Sequence, residues 1–169
     1  MEKRKGQSAM EYLMTYGWAI LVIIIVIAVL FYIGVLNPRN VTPSSCTFPP
    51  GLTCSSYKLH ASTAELDLRI GQATGHPIKI TGIKCTQESG TPSANITSVD
   101  INIPIGEQRW VVGGDSGNTM VCFDASGTAA YSNPQLGEFY KGKIWVFYNE
   151  ADTGITRTVV GDIATKFEQ

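Results

Sequence analysis

Between Tyr12 and Leu36 the chain reads YLMTYGWAILVIIIVIAVLFYIGVL, without a single charged residue. As a helix, these about 25 positions measure roughly 37 Å, enough to cross a hydrocarbon core of about 30 Å with some tilt. The stretch therefore predicts a membrane helix, and the rest of the chain is organised around it. Lys3, Arg4 and Lys5 precede it, and basic residues are retained on the cytoplasmic side, so the chain beyond the helix is expected outside. Tyr12, Tyr16 and Trp18 at one end, and Phe31 and Tyr32 near the other, suit the two membrane–water interfaces.

An ordinary secretory leader has an apolar region of roughly 7 to 15 residues and a small-residue cleavage site. This run is longer and ends at Asn37-Pro38 with no such site, so the helix is expected to stay in the mature protein. Proline has no N–H to give and restricts the residue before it, which places the helix end there. Glu11 stands at the entrance of the run, where a lipid-facing carboxylate is costly and calls for compensation. Ser8-x-x-Glu11 also has the spacing of a capping box, in which each side chain satisfies a free N–H at a helix start.

Lys5-Gly6-Gln7-Ser8-Ala9-Met10-Glu11-Tyr12-Leu13 resembles the class III signal peptide of archaeal type IV pilins. The resemblance covers roughly the first quarter of the chain, with Ala9 as its departure from the family's pattern. It implies that a membrane prepilin peptidase cuts between Gly6 and Gln7, leaving Glu11 at the fifth mature position. It further implies a homopolymer of identical subunits, extruded by a pilus assembly ATPase and a membrane platform protein, membrane-inserted as the prepilin and serving adhesion at the cell surface. Archaellin leaders usually start Gly-rich after the cut, which ranks motility below adhesion.

The residues supply a chemistry for such a cut. A glycine before the bond lets an extended backbone enter a protease cleft, and the new amine of Gln7, with a pKa of about 7.7 to 8.0, is mostly cationic near neutral pH. That amine and Glu11, of the same or a neighbouring chain, neutralise each other once helices leave lipid and pack together.

From residue 38 to Ser56 the chain is rich in Pro, Ser and Thr and is expected to form a neck. Beyond it the apolar period becomes two: Ala64, Leu66, Leu68 and Ile70 alternate with polar residues, as do Val99, Ile101, Ile103 and Ile105. Pro104 puts the second of these strands at an edge or a bulge. Further strands are expected at Ile78 to Ile83, Gln108 to Val112, Thr119 to Phe123, Phe139 to Tyr148 and Ile155 to Ile163. Lys143 to Tyr148, apolar on both faces, is expected to be the central strand, and Asp152-Thr153-Gly154 to turn it into a hairpin. That hairpin also resembles the C-terminal hairpin of archaeal pilin heads. The expected class is α+β: a leader 1–6, a hydrophobic helix 7–37, a neck 38–56 and an all-β head 57–169 built as an immunoglobulin-like sandwich.

Four cysteines on an exported chain predict two disulfides. Of three connectivities, Cys46–Cys54 is favoured because Pro49-Pro50-Gly51 turns the chain back between them, which leaves Cys85–Cys122 by elimination. Asn40-Val41-Thr42 and Asn95-Ile96-Thr97 are N-glycosylation sequons, the first followed directly by Pro43. The formal charge of −1 offers no basic surface for nucleic acid. Cysteine spacing unlike C-x2-C and only His60 and His76 speak against a zinc site.

Gly114-Asp115-Ser116-Gly117 has a serine-protease look but reads better as a polar turn, since a nucleophilic Ser needs a base held by an acid. Trp110, Tyr131 and Trp145 are weighed as adhesive aromatics against core roles. No cofactor and no catalytic residue is expected, and the chain is not read as an enzyme. The alternative to a pilin is an uncleaved, membrane-anchored extracellular binding module.

Overall fold

A uniformly apolar helix satisfies its backbone internally and leaves its side chains in need of a partner, and this sets the N-terminal unit apart from the rest. The computed structural model describes residues 4–34, 42–92 and 94–169, the side chains of 4–9 and 13 excepted. The chain divides into two compact units, Met1–Thr42 and Pro43–Gln169.

In the first unit α1 spans Arg4–Tyr32, of which Met10–Tyr32, 23 residues, is long and apolar enough to cross a membrane. Every described side chain from Met10 to Phe31 is exposed except Leu30. The helix stops short of the expected end at Asn37-Pro38, which lies outside the described residues. Gly34 takes a left-handed φ of 72°, its N–H bonds the Phe31 carbonyl at 3.1 Å, and the Ile33 N–H closes on Val29 at 2.9 Å. A glycine carries no Cβ penalty in that conformation, so the chain turns out of the helix there with the Val29 and Phe31 carbonyls bonded. Its start also differs from the capping-box expectation. With α1 running back to Arg4, Ser8 lies inside the helix, where the backbone N–H groups a box would satisfy are already bonded to the preceding turn.

The second unit is a mostly β head of nine strands. They are β1 (Ser45–Thr47), β2 (Leu52–His60), β3 (Leu66–Gln72), β4 (Ile78–Thr86), β5 (Thr97–Ile103), β6 (Gln108–Val112), β7 (Cys122–Phe123), β8 (Phe139–Glu150) and β9 (Thr156–Glu168). Their hydrogen-bonded order is β5-β4-β8-β9-β2-β3-β6, with β1 added to β9 and β7 to β4. Pairings are antiparallel except β2 with β9 and β4 with β7.

β8 lies between β4 and β9 and buries residues on both faces, among them Ile144, Trp145 and Val146, as expected of the central strand. Gly154, at φ 73°, and a bond from the Gly154 N–H to the Glu150 carbonyl (2.8 Å) close the expected β8–β9 hairpin.

β9 pairs with β8 along its body and joins β2 only at its end, through Leu59↔Phe167 and His60↔Glu168. One ladder therefore links all the strands, and its two ends, β5 and β6, come into contact, which makes the sheet nearly barrel-shaped. This replaces the expected immunoglobulin-like sandwich of two separate sheets. Of the alternating apolar residues read from the sequence, Ala64, Leu66, Leu68 and Ile70 are at most 1 % exposed, and Val99 and Ile103 of β5 are also buried; Ile101 is half-buried, and Ile105, beyond the end of β5, is exposed. Each buried Leu, Ile or Val among them contributes about 1.5–3 kcal/mol by leaving water.

The expected neck is also corrected. Its residues from Ser45 onward form β1 and the start of β2, so the head begins about a dozen residues earlier than the change of period indicates. β1 is three residues long and acquires its order from β9, pairing Cys46 with Ile163. The Cys46–Cys54 disulfide then ties it to β2 across the Pro49-Pro50-Gly51 turn. Cys85–Cys122, fully buried, joins β4 to β7. In the loop-entropy model the two crosslinks contribute about 2.5 and 4 kcal/mol.

Lys84, 1 % exposed, is a buried cation on β4. Its Nζ donates to the carbonyls of Ala94 and Gly127, both at 2.9 Å, lies 3.5 Å from Glu88 Oε2 and stands over the Phe123 ring at 5.3 Å. It fastens two loops at the outer end of β4, one of which carries Asn95.

Replacing Cys85 and Cys122 together by Ala removes the longer crosslink with little change of volume. Thermal melts of the head, residues 43–169, should fall by roughly 10 °C or more, and an unchanged melt would show that the bridge adds no stability.

Candidate functional site

The residues at the entrance of the apolar run all belong to α1. Gly6 and Gln7, the expected cleavage pair, lie in helical backbone, not the extended form a protease cleft takes, so cutting requires the first two turns to unwind. That cost is small at a frayed helix start ahead of the first apolar residues. Glu11 is exposed on the helix surface and makes no ion pair with any described residue. Its carbonyl accepts from the Thr15 hydroxyl at 2.9 Å. Gly17, further along, has open space where a Cβ would stand, which leaves a notch for close approach of another helix.

On the head, Asn95 of the second sequon is exposed at a left-handed φ of 55°, its side-chain amide 3.4 Å from the Gly127 carbonyl. Asn40 of the first sequon lies outside the described residues. The three aromatics separate. Trp145 is buried on β8, and Tyr131 packs against Tyr140 and Phe167 with ring centroids 5.4 and 5.2 Å away. Burial raises the Tyr140 hydroxyl's pKa well above its ordinary value, so it stays protonated and donates to the Phe123 carbonyl at 2.9 Å.

Trp110 lines a groove at the seam where the ends of the sheet meet without pairing. This groove, of about 500 Å³, is walled by Asp100 and Asn102 of β5, Arg109 and Trp110 of β6, Arg69 of β3, and Asp115 in the turn after β6. Arg69 and Trp110 are register partners across β3 and β6, a spacing at which side chains touch. The indole is held from beneath: a Cβ on Gly114, at φ 49°, would stand 2.5 Å from the Trp110 ring, so only glycine fits there.

The groove's charges are mostly satisfied in pairs. Lys79 holds Asp100 at 2.9 Å, and Glu107 holds Arg109 at 3.1 Å. Arg69 has no ion pair, and its Nε is buried with no hydrogen-bond acceptor among the described residues. A buried donor left without a partner costs about 1–3 kcal/mol.

Ser116 uses its hydroxyl within its own turn, donating to the Gly113 carbonyl at 2.7 Å, which accords with the polar-turn reading. A cluster the sequence did not announce forms at the tip of the β8–β9 hairpin. His76 Nδ1 meets Asp152 Oδ2 at 2.6 Å, and ligand-type atoms of His76, Glu150 and Asp152 lie within 4.8 Å of one another. These are donors a cation would accept. Both Glu150 oxygens are already engaged, one by the Thr153 hydroxyl at 2.6 Å and the other by the Arg157 guanidinium, so the cluster is a closed ion-pair network. The Thr153 hydrogen bond, then Arg157, lowers the Glu150 pKa. The hydrogen bond between His76 and Asp152 raises the first and lowers the second.

No known family, curated protein or solved structure matches the chain, so its functional reading rests on its own residues.

The hairpin network has a testable pH signature. Because the His76 pKa is raised in the fold, its contribution is complete below the ordinary value of 6.5 and is lost as pH rises through the raised one. The Asp152 contribution is present above its ordinary 3.8 and is lost as pH falls through the lowered value. The melting temperature of the wild type should therefore exceed that of His76→Asn most between about pH 4 and 6.5, and the two curves should converge in alkali. A difference constant across pH would contradict the pairing.

Proposed function

We propose that the chain is the structural subunit of an archaeal type IV adhesion pilus. The observation that carries this is the Lys5–Leu13 motif set directly before a long apolar helix whose side chains nothing in its own unit covers. In this reading a prepilin peptidase cuts between Gly6 and Gln7 at the cytoplasmic face of the membrane. An assembly ATPase and a membrane platform protein then draw the helix out of lipid into a bundle of identical helices.

Exchange of lipid for protein neighbours has little hydrophobic driving force, since both are apolar, so packing and polar pairing decide it. Glu11 supplies the polar part. A carboxylate facing lipid costs up to about 3 kcal/mol at mid-membrane and less near the interface, and the new Gln7 amine neutralises it. The disulfide-stapled β heads form the outside of the filament. There the exposed Asn95, and Asn40 by its sequence, are acceptors for glycans.

The seam groove also suits a second reading, an uncleaved extracellular binding module anchored by α1. That protein would keep residues 1–6 and have no use for Glu11.

The two readings part at Glu11→Ala. If the chain is a pilin, the variant inserts into the membrane normally but forms filaments at least about tenfold less abundant, the loss of one charge-assisted contact of about 1.4 kcal/mol per subunit being repeated along the polymer. Electron-microscopic counts and immunoblots of sheared filaments measure this. Normal filament yield would refute the pairing of Glu11 with the amine.

A further inference from the structure

We infer that the seam groove between β5 and β6 binds an acidic saccharide, a sugar chain bearing carboxylates. The inference takes its biological setting from the adhesive role proposed above but not its chemistry, which stands on the head alone.

Three features converge. The first is Arg69, whose guanidinium has no carboxylate partner among the described residues, while the neighbouring Arg109 and Asp100 are each already paired. A carboxylate seated in the groove would pair with this guanidinium through its Nη–H groups, because the Nε–H is closed off from the groove's solvent. The second is Trp110, half-buried beside Arg69 and fixed by the close approach of Gly114. An aromatic face held in place before binding is a platform for the C–H face of a pyranose ring, and it loses little entropy on contact. The third is the polar wall. Asn102 and Gln108 offer both donors and acceptors, and Asp115, exposed at the mouth, offers acceptors, a set that suits neighbouring hydroxyls.

The volume of about 500 Å³ falls within the range of small-ligand sites. An acidic peptide laid between the two strand edges is the competing occupant. Peptides added to a sheet edge take their specificity from pockets for alternate side chains, and the groove wall here is largely polar, with Ile101 and Trp110 its apolar members.

The test is calorimetric titration of the full chain, held in a detergent without a sugar headgroup, so that it depends on neither processing nor filament assembly. The probes are tetragalacturonate, its methyl ester, which keeps the rings and hydroxyls but not the charges, and tetra-aspartate. Saturable binding of tetragalacturonate, roughly tenfold or more weaker for the ester and for tetra-aspartate, is expected. Arg69→Gln should weaken tetragalacturonate by a similar factor and leave its already weak binding of the ester unchanged. Absence of saturable binding, equal affinity for acid and ester, tetra-aspartate binding as tightly as the sugar, or undiminished affinity in a folded Arg69→Gln chain would each overturn the inference. The wild-type comparison of acid with ester decides even if that variant fails to fold.

Discussion

The rest of the molecule answers to one constraint: a 23-residue apolar helix with no partner in its own unit. Such a helix is consistent with insertion into a membrane or with a signal sequence, and on the reading proposed above it passes from lipid to a bundle of its own copies. On that reading Glu11 shifts the balance between the two environments. In lipid it is a penalty, whereas in a bundle that brings a cation to it the same carboxylate fixes register. The notch at Gly17 acts in the same direction, since small residues let helix backbones close up where no hydrophobic force draws them together.

The head solves a different problem, remaining folded through its own contacts, and its two disulfides suggest an oxidising, extracellular setting. A nearly closed barrel conceals most strand edges, which would otherwise template unwanted pairing. The disulfides fasten the short strands that hydrogen bonds alone hold weakly: β1 through Cys46 and β7 through Cys122. At the seam between β5 and β6 lie the Arg69 guanidinium, without an ion pair among the described residues, and the Trp110 indole against Gly114. A groove at this seam follows from how the two ends of the sheet meet.

Much of this was legible in the residues. The long apolar helix follows from an absence of charge, β3 and β5 from alternation, and β8 from a doubly apolar run. The disulfide connectivity follows from the turn between Cys46 and Cys54. Other parts were hidden for physical reasons. β1 takes its order from β9, more than a hundred residues away, so no local period marks it. The helix end was set by the left-handed Gly34, which in sequence looks like any membrane glycine. The near-barrel depends on the last residues of β9 turning to β2, and alternation tells which residues face inward but not how the ladder closes. The His76–Asp152 network joins residues 76 positions apart. Trp110 reads in the sequence as either an adhesive or a core aromatic and is half-buried, whereas Arg69 was an ordinary polar residue of an alternating strand until its register against Trp110 was known.

The most direct test of the account is the intact mass and N-terminal sequence of the protein recovered from its native cell surface. The account predicts a chain that begins at Gln7 and sediments with high-molecular-weight filaments. A chain that begins at Met1 or Glu2 and stays in the membrane fraction would contradict it and leave the head as an anchored receptor.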